Sequence, residues 1–226
     1  MFVLYFDSKY YHWAPQLIGS IKKFEPSELI MTFGINLTPD QAVKSDRTSA
    51  FHLNVSVPPQ PEEEVPFQVI ERKAEYLIDA IASFPTQKLF IMMDIDMLLL
   101  RPLTEVKEAM LDHKFDFAAI LANPDKICGR FYAFRKTSVV MDLLDEWNEF
   151  LMDGKFYYDK DQPSLALLVR KYQFEHGLKV LPLTRSYLDH KSREGSHIWS
   201  AHKTEFGEKQ NRFELYQKVS EELGIK

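Results

Sequence analysis

The sequence predicts an α/β fold: a single domain with a mainly parallel central sheet flanked by helices. Three observations lead there. Apolar, strand-like runs alternate with amphipathic stretches along most of the chain, the pattern of a sheet covered by helices. The run LFIMMDIDMLLLRPL, residues 89–103, contains about one buried strand and falls short of the ~18 to 20 apolar residues of a membrane span. At 226 residues the chain has the size of one domain able to bury a substantial core.

The elements follow in order. FVLYF, residues 2–6, is an apolar strand. Residues 14–24 carry Leu17, Ile18 and Ile21 at helical spacing, and Pro26 stops that helix. Residues 29–33 and 52–57 are the next strands. PPQPEEEVP, residues 58–66, is proline-rich and acidic, hence a surface loop with solvated glutamates. A helix over 67–84 has Ile70, Ala74, Leu77 and Ile81 as its apolar stripe and Pro85 as its stop. The acidic strand comes next, then short strands at 115–121 and 129–134, with a loop at Asn123-Pro124 between them. Thr137 or Ser138 caps a helix running through Met152, with Val140, Leu144, Trp147 and Leu151 on its buried side and Gly154 at C′. Asp161 caps a further helix, with Pro163 in the first turn. Residues 198–202 form a closing strand. Phe213, Tyr216, Val219 and Leu223 mark a last amphipathic helix, whose balanced polar face suits packing on the domain.

Composition removes several function classes. The net charge is −5 and there is no Lys/Arg run, so nucleic acid and acidic lipid are not expected partners. Cys128 is the only cysteine, which rules out an internal disulfide and a thiolate zinc site. The start, MFVLYFDSKYY, lacks a basic region, and Asp7 interrupts it, so it reads as a strand and not as a signal peptide. Asn36-Leu-Thr and Asn54-Val-Ser match the glycosylation tripeptide, a pattern that chance produces often.

The chemistry centres on Asp94 and Asp96. Strand alternation puts both on the face of Phe90 and Met92, at the carboxyl end of a strand, where α/β sheets gather ligands. Two like charges held that close invite a metal ion; the plain alternative is a turn cap or a pairing with Arg101. Lys73 lies at the edge of its helix's apolar stripe, placed either to snorkel or to reach a ligand. In residues 198–202, Ile198, Ser200 and His202 share one face and His197 the other, so at most one of the two histidines points at a metal. Asp161 is explained by helix capping alone, and Gly129 by a strand bulge or a close approach. Beside Tyr5, read as core, Phe6 and Asp7 are candidates for stacking on a base and binding ribose.

The order of several motifs resembles nucleotide-sugar glycosyltransferases of the GT-A fold, a Rossmann-like nucleotide-diphospho-sugar transferase superfamily. RKAEYLIDAI is similar to the Lys-bearing helix before the D-x-D motif, and QKLFIMMDIDMLLLRPL to the motif itself. FDFAAI, CGRFYAFRKT and Trp147 resemble the following strand, Gly-containing strand and helix. YDKDQPSLALLV looks like the Asp-Gln segment lining the sugar pocket, and HIWSAHK like the strand whose last His completes a metal site. The likeness covers residues 67–203. Ile127 replaces the family's usual Asn two residues before the glycine, and the end lacks the H-x-x-G-x-x-K-P-W signature of glycogenin-like enzymes.

The resemblance implies a metal-dependent transfer of sugar from a nucleoside-diphosphate sugar, most simply a UDP-sugar, to a carbohydrate or other hydroxyl acceptor. It implies Mn²⁺ or Mg²⁺ on Asp94, Asp96 and His202. Donor contacts would come from Phe6, Asp7, Lys73, Asp94, Ile95, Asp96, Gly129, Gln162 and Lys203, with Asp161 and Lys73 as the catalytic candidates. A nucleotide-binding part of about 1–100 would precede an acceptor part of about 101–205 and a packing helix of about 206–224. The expected location is cytoplasmic, the alternative a lumenal domain of a Golgi enzyme without its anchor. Two rivals remain open: a haloacid-dehalogenase-like phosphatase, against which Met97-Leu98 after the acids argues, and a GT-A-like domain that binds without turnover.

Overall fold

The computed structural model describes residues 1–48, 51–57, 72–112, 114–123, 126–152, 161–189, 194–201 and 211–225. The first half supplies β1 (Phe2–Asp7), α1 (Ala14–Phe24), β2 (Ile30–Ile35), α2 (Pro39–Thr48), β3 (Phe51–Val55), α3 (Lys73–Ser83) and β4 (Leu89–Met93). β5 (Met97–Leu99), α4 (Thr104–Leu111), β6 (Phe117–Asn123), β7 (Lys126–Arg135) and α5 (Ser138–Met152) follow. The chain then forms α6 (Asp161–Glu175), β8 (Val180–Leu183), β9 (Ile198–Ser200) and α7 (Asn211–Glu222).

Seven strands make one sheet in the order β3-β2-β1-β4-β7-β6-β8. β1 through β4 are mutually parallel; β7 runs antiparallel to both its neighbours, and β8 is parallel to β6. Only β7 is therefore reversed, and the sheet is mainly parallel as expected. Alternation along the central strands feeds two cores. Val3, Tyr5, Phe90, Met92, Tyr132 and Phe134 face α3, α5 and α6, whereas Phe2, Leu4, Phe6, Ile91, Met93 and Phe131 face α1 and α7. Trp147 of α5 is fully buried and anchors α6 by donating its indole N–H to Ser164 Oγ at 3.1 Å.

Several expectations change. The acidic run is not one strand: β4 ends at Met93, residues 95–96 turn, and β5 pairs antiparallel with β9 in a separate two-stranded sheet. The closing strand thus extends β5 and not the central sheet. Three elements had not been anticipated: α2, α4 and β8. Thr137 precedes α5, but its buried hydroxyl has no hydrogen-bond partner among the described residues and does not cap the helix. α7 packs as foreseen, burying Tyr216 and Val219 against α1 and the turn. Residues 58–66, Ile70, Pro124 and Gly154 lie outside the described residues. No helix among the described residues is long and apolar enough to cross a membrane.

Candidate active site

Chain order reverses between β1 and β4: β2 and β3 lie beyond β1, and the later strands of the sheet lie beyond β4. Such a switch point opens a crevice at the carboxyl ends of the two strands. The Leu4↔Met93 register brings Tyr5 and Asp94 side by side at that end. Tyr5 Oη donates to Asp94 Oδ1 at 2.5 Å, and the Asp94 N–H donates to the Arg130 carbonyl at 2.9 Å. Strand, turn and neighbouring β7 are thereby fixed together at the crevice.

Lys73, the first residue of α3, does not snorkel: it is 3% exposed. Its ammonium donates to Gly129 O and to Asp161 Oδ2, each at 2.8 Å, lies 3.6 Å from Asp94 Oδ1, and sits 5.5 Å from the centre of the Tyr5 ring. Burial works against this charge, but Asp161 and Asp94 outweigh it and hold the lysine pKa well above its ordinary value. Burial likewise pushes the Asp94 carboxyl up, with Lys73 opposing and Asp96 adding to the shift. The Tyr5 phenol is held well above its usual value by burial and then by the Asp94 charge.

Asp161 opens α6 and is 3% exposed, so its carboxylate is an anchor for Lys73 more than a solvent-facing cap. Gly129 shows why no side chain fits there. A Cβ would meet Gln162 Cγ at 2.6 Å and Asp161 Oδ2 at 2.9 Å, so the close approach is by these two side chains. Tyr132, two strand positions on from Arg130, buries a hydroxyl with no hydrogen-bond partner among the described residues. Burial raises its pKa well above the ordinary value.

Asp96, in the turn, takes hydrogen-bond partners different from those of Asp94. Its Oδ2 accepts from Arg212 Nη2 at 2.6 Å and Arg130 Nη1 at 3.2 Å, and Arg130 Nη1 also donates to Ser200 Oγ at 2.7 Å. Arg101, the partner considered from sequence, is exposed. Arg212 Nε donates to Ala201 O at 2.6 Å, and Tyr216 Oη donates to the carbonyls of Met97 and Ile95 at 2.9 and 3.3 Å. α7 is thus fastened to the acidic turn by both residues. Three carboxylates, Asp94, Asp96 and Asp161, interlock with three cations, Lys73, Arg130 and Arg212.

The remaining candidates are placed as follows. Phe6 is 1% exposed and packs against Tyr11 and His52, so its ring is core and does not face the crevice. Asp7 is buried at the end of β1, where its Oδ1 accepts the Tyr10 N–H at 2.9 Å. Ile95 is buried between the two acids. His197 stacks on Tyr187 and its Nδ1 lies 3.2 Å from Pro102 O, away from the acids as alternation required. His202 and Lys203 lie outside the described residues; Ala201, just before them, donates its N–H to Asp96 O at 3.0 Å.

Sequence reading had missed Arg130, Arg212, Tyr132 and Tyr216, and had taken Tyr5 only as core. Arg130 carried a signal, a charge inside the apolar CGRFYAF, which demands a buried partner just as the aspartates do. Arg212 carried none, since its partner is 116 positions away.

No family model matches the sequence, and no curated protein matches it at a significant level. Solved structures do match. An active-site mutant of the glycosyltransferase LgtC aligns at a TM-score of 0.55 and 12% identity, covering 96% of this chain and 95% of that one. A glycosyltransferase involved in glycosylation of the major capsid of PBCV-1 aligns at a TM-score of 0.56 and 11% identity, covering 96% and 99%. At such identities the likeness speaks for architecture, and the architecture of this chain is the GT-A fold.

Proposed function

We propose that the chain is a glycosyltransferase that takes a nucleoside-diphosphate sugar, most simply a UDP-sugar, with Mn²⁺ or Mg²⁺, and transfers the sugar to a carbohydrate or other hydroxyl acceptor. The observation that carries this reading is Asp94 in the β1–β4 switch-point crevice of a GT-A fold. Its Oδ2 has no partner among the described residues, and its side chain is 24% exposed.

The donor set suits a hard cation, because carboxylate oxygens favour Mn²⁺ and Mg²⁺ over softer metals. Asp94 and Asp96 would hold it. Among the described residues no group of three or more His, Cys, Asp or Glu is set to bind a metal, and His202 is the third ligand in this reading. Ala201 meeting Asp96 supports that choice. When bound, the metal neutralises the diphosphate as a Lewis acid. Lys73 holds the Asp161 carboxylate in place beside Gly129, which makes Asp161 the candidate base or nucleophile and Gln162 a sugar contact. Asp7 at the end of β1 takes the ribose with Phe6 packed beneath, and Lys203 adds positive charge. Free nucleoside diphosphate released from a UDP-sugar in the presence of Mn²⁺ tests the reading. Phosphate released from a phosphomonoester, with no turnover of any nucleotide sugar, would replace it with a phosphatase.

A further inference from the structure

Arg130 is more than the partner of Asp96. A guanidinium has five N–H donors in a rigid fork. Here Nη1 alone makes the contacts, to Ser200 Oγ at 2.7 Å and to Asp96 Oδ2 and Oδ1 at 3.2 and 3.5 Å. Nε and Nη2 have no partner among the described residues, although the side chain is only 22% exposed. By contrast Arg212 is committed through both Nε and Nη2. A largely buried guanidinium holding one edge to protein and leaving the other open is arranged to receive an anion with two oxygens. It stands on β7 directly beside the acidic turn, its carbonyl bonded to Asp94 N–H.

The charge balance says which anion. Among the described residues, Asp94, Asp96 and Asp161 are matched one for one by Lys73, Arg130 and Arg212. A bare divalent cation entering this neutral cluster brings excess positive charge next to two guanidiniums. A diphosphate arriving with it restores the balance. We propose that Arg130 is a donor-binding residue whose open guanidinium edge grips the diphosphate, and that its hold on Asp96 keeps the acidic turn from taking a divalent cation alone. This rests on the function proposed above and adds a residue and an order to it: cation and diphosphate enter together.

Calorimetric titration of the full chain and of Arg130→Gln separates the possibilities, with UDP and inorganic pyrophosphate as probes, each with and without Mn²⁺, and with Mn²⁺ alone. The expected result has opposite signs. Both diphosphates weaken by about ten- to a hundredfold, the loss of a charge-assisted hydrogen-bond pair. Mn²⁺ alone binds at least about threefold tighter, because one cation near Asp96 is gone. If Arg130→Gln does not fold, Arg130→Lys keeps the ion pair and loses the fork, and is expected to bind both diphosphates at least about threefold more weakly. Unchanged diphosphate affinity, or loss of Mn²⁺ and diphosphate together, overturns the proposal while wild-type binding of UDP leaves the functional reading in place. A wild type that binds neither probe even with Mn²⁺ overturns both.

Discussion

Lys73→Met removes a charge and keeps an unbranched side chain at the start of α3. Sequence position alone had suggested that such a change would mainly weaken ligand binding. The structure predicts a fold defect instead. The ammonium is 3% exposed, makes hydrogen bonds of 2.8 Å to Asp161 and Gly129 O, and lies 3.6 Å from Asp94. Removing one partner of a buried pair costs about 3–5 kcal/mol, because the other charge stays buried without compensation. Two charge-assisted hydrogen bonds at about 1.5–3 kcal/mol each give about 3–6 kcal/mol, an overlapping range. Urea unfolding of both proteins at pH 7, followed by tryptophan fluorescence with the m-value checked, measures it. Lys73→Met/Asp161→Asn should recover much of the loss. A deficit below about 1 kcal/mol would contradict the buried-pair estimate and refute the reasoning.

Other expectations follow from the same network. Burial raises the Asp94 carboxyl despite Lys73. An acid raised on folding stabilises below its unfolded pKa of about 3.9 and loses that contribution as pH climbs through the folded value. Asp94→Asn should therefore melt higher than wild type at pH 7, with the gain vanishing towards pH 4, while sugar transfer is lost. Asp96→Asn should do the opposite to stability, costing about 2–4 kcal/mol in urea unfolding by stranding Arg130 and Arg212. Gly129→Ala drives a methyl into Gln162 and the fixed Asp161, and should cost about 1–3 kcal/mol by the same assay. Tyr132→Phe removes an unpartnered buried hydroxyl and should leave the melting temperature unchanged or raise it, by about 1 kcal/mol in stability.

What the sequence made legible, and what it hid, has physical causes. The apolar strands and stripes of β1, α1, α3, β4 and α5 are visible because their periodicity is the core itself. α2 offers only Ala42 and Val43 as apolar residues besides Pro39, and α4 is a short helix of eight residues that buries only Val106 and Met110, so neither carries a stripe long enough to stand out. β8 contains Pro182, which normally argues against a strand and is tolerated here because β8 lies at the sheet edge. In the site, alternation located Asp94 correctly among the Phe90 and Met92 face. Alternation is not what places Asp96, because the strand stops at Met93 and Asp96 stands in the turn that follows, held by Arg130 and Arg212. Gly129, Asp161 and Gln162 were each singled out, but their mutual contact was not, since local spacing contains no tertiary distance.

The most direct test of the central claim is equilibrium binding of UDP-, GDP-, CMP- and dTDP-sugars in the presence of Mn²⁺, compared between wild type and Asp94→Asn. The variant keeps an acceptor for Tyr5 Oη and should be no less stable at pH 7, so a loss of binding reports on the site and not on the fold. The account predicts that at least one of these donors binds wild type and binds Asp94→Asn at least about tenfold more weakly. Equal binding by the two proteins, or binding of none of the four donors, would contradict it.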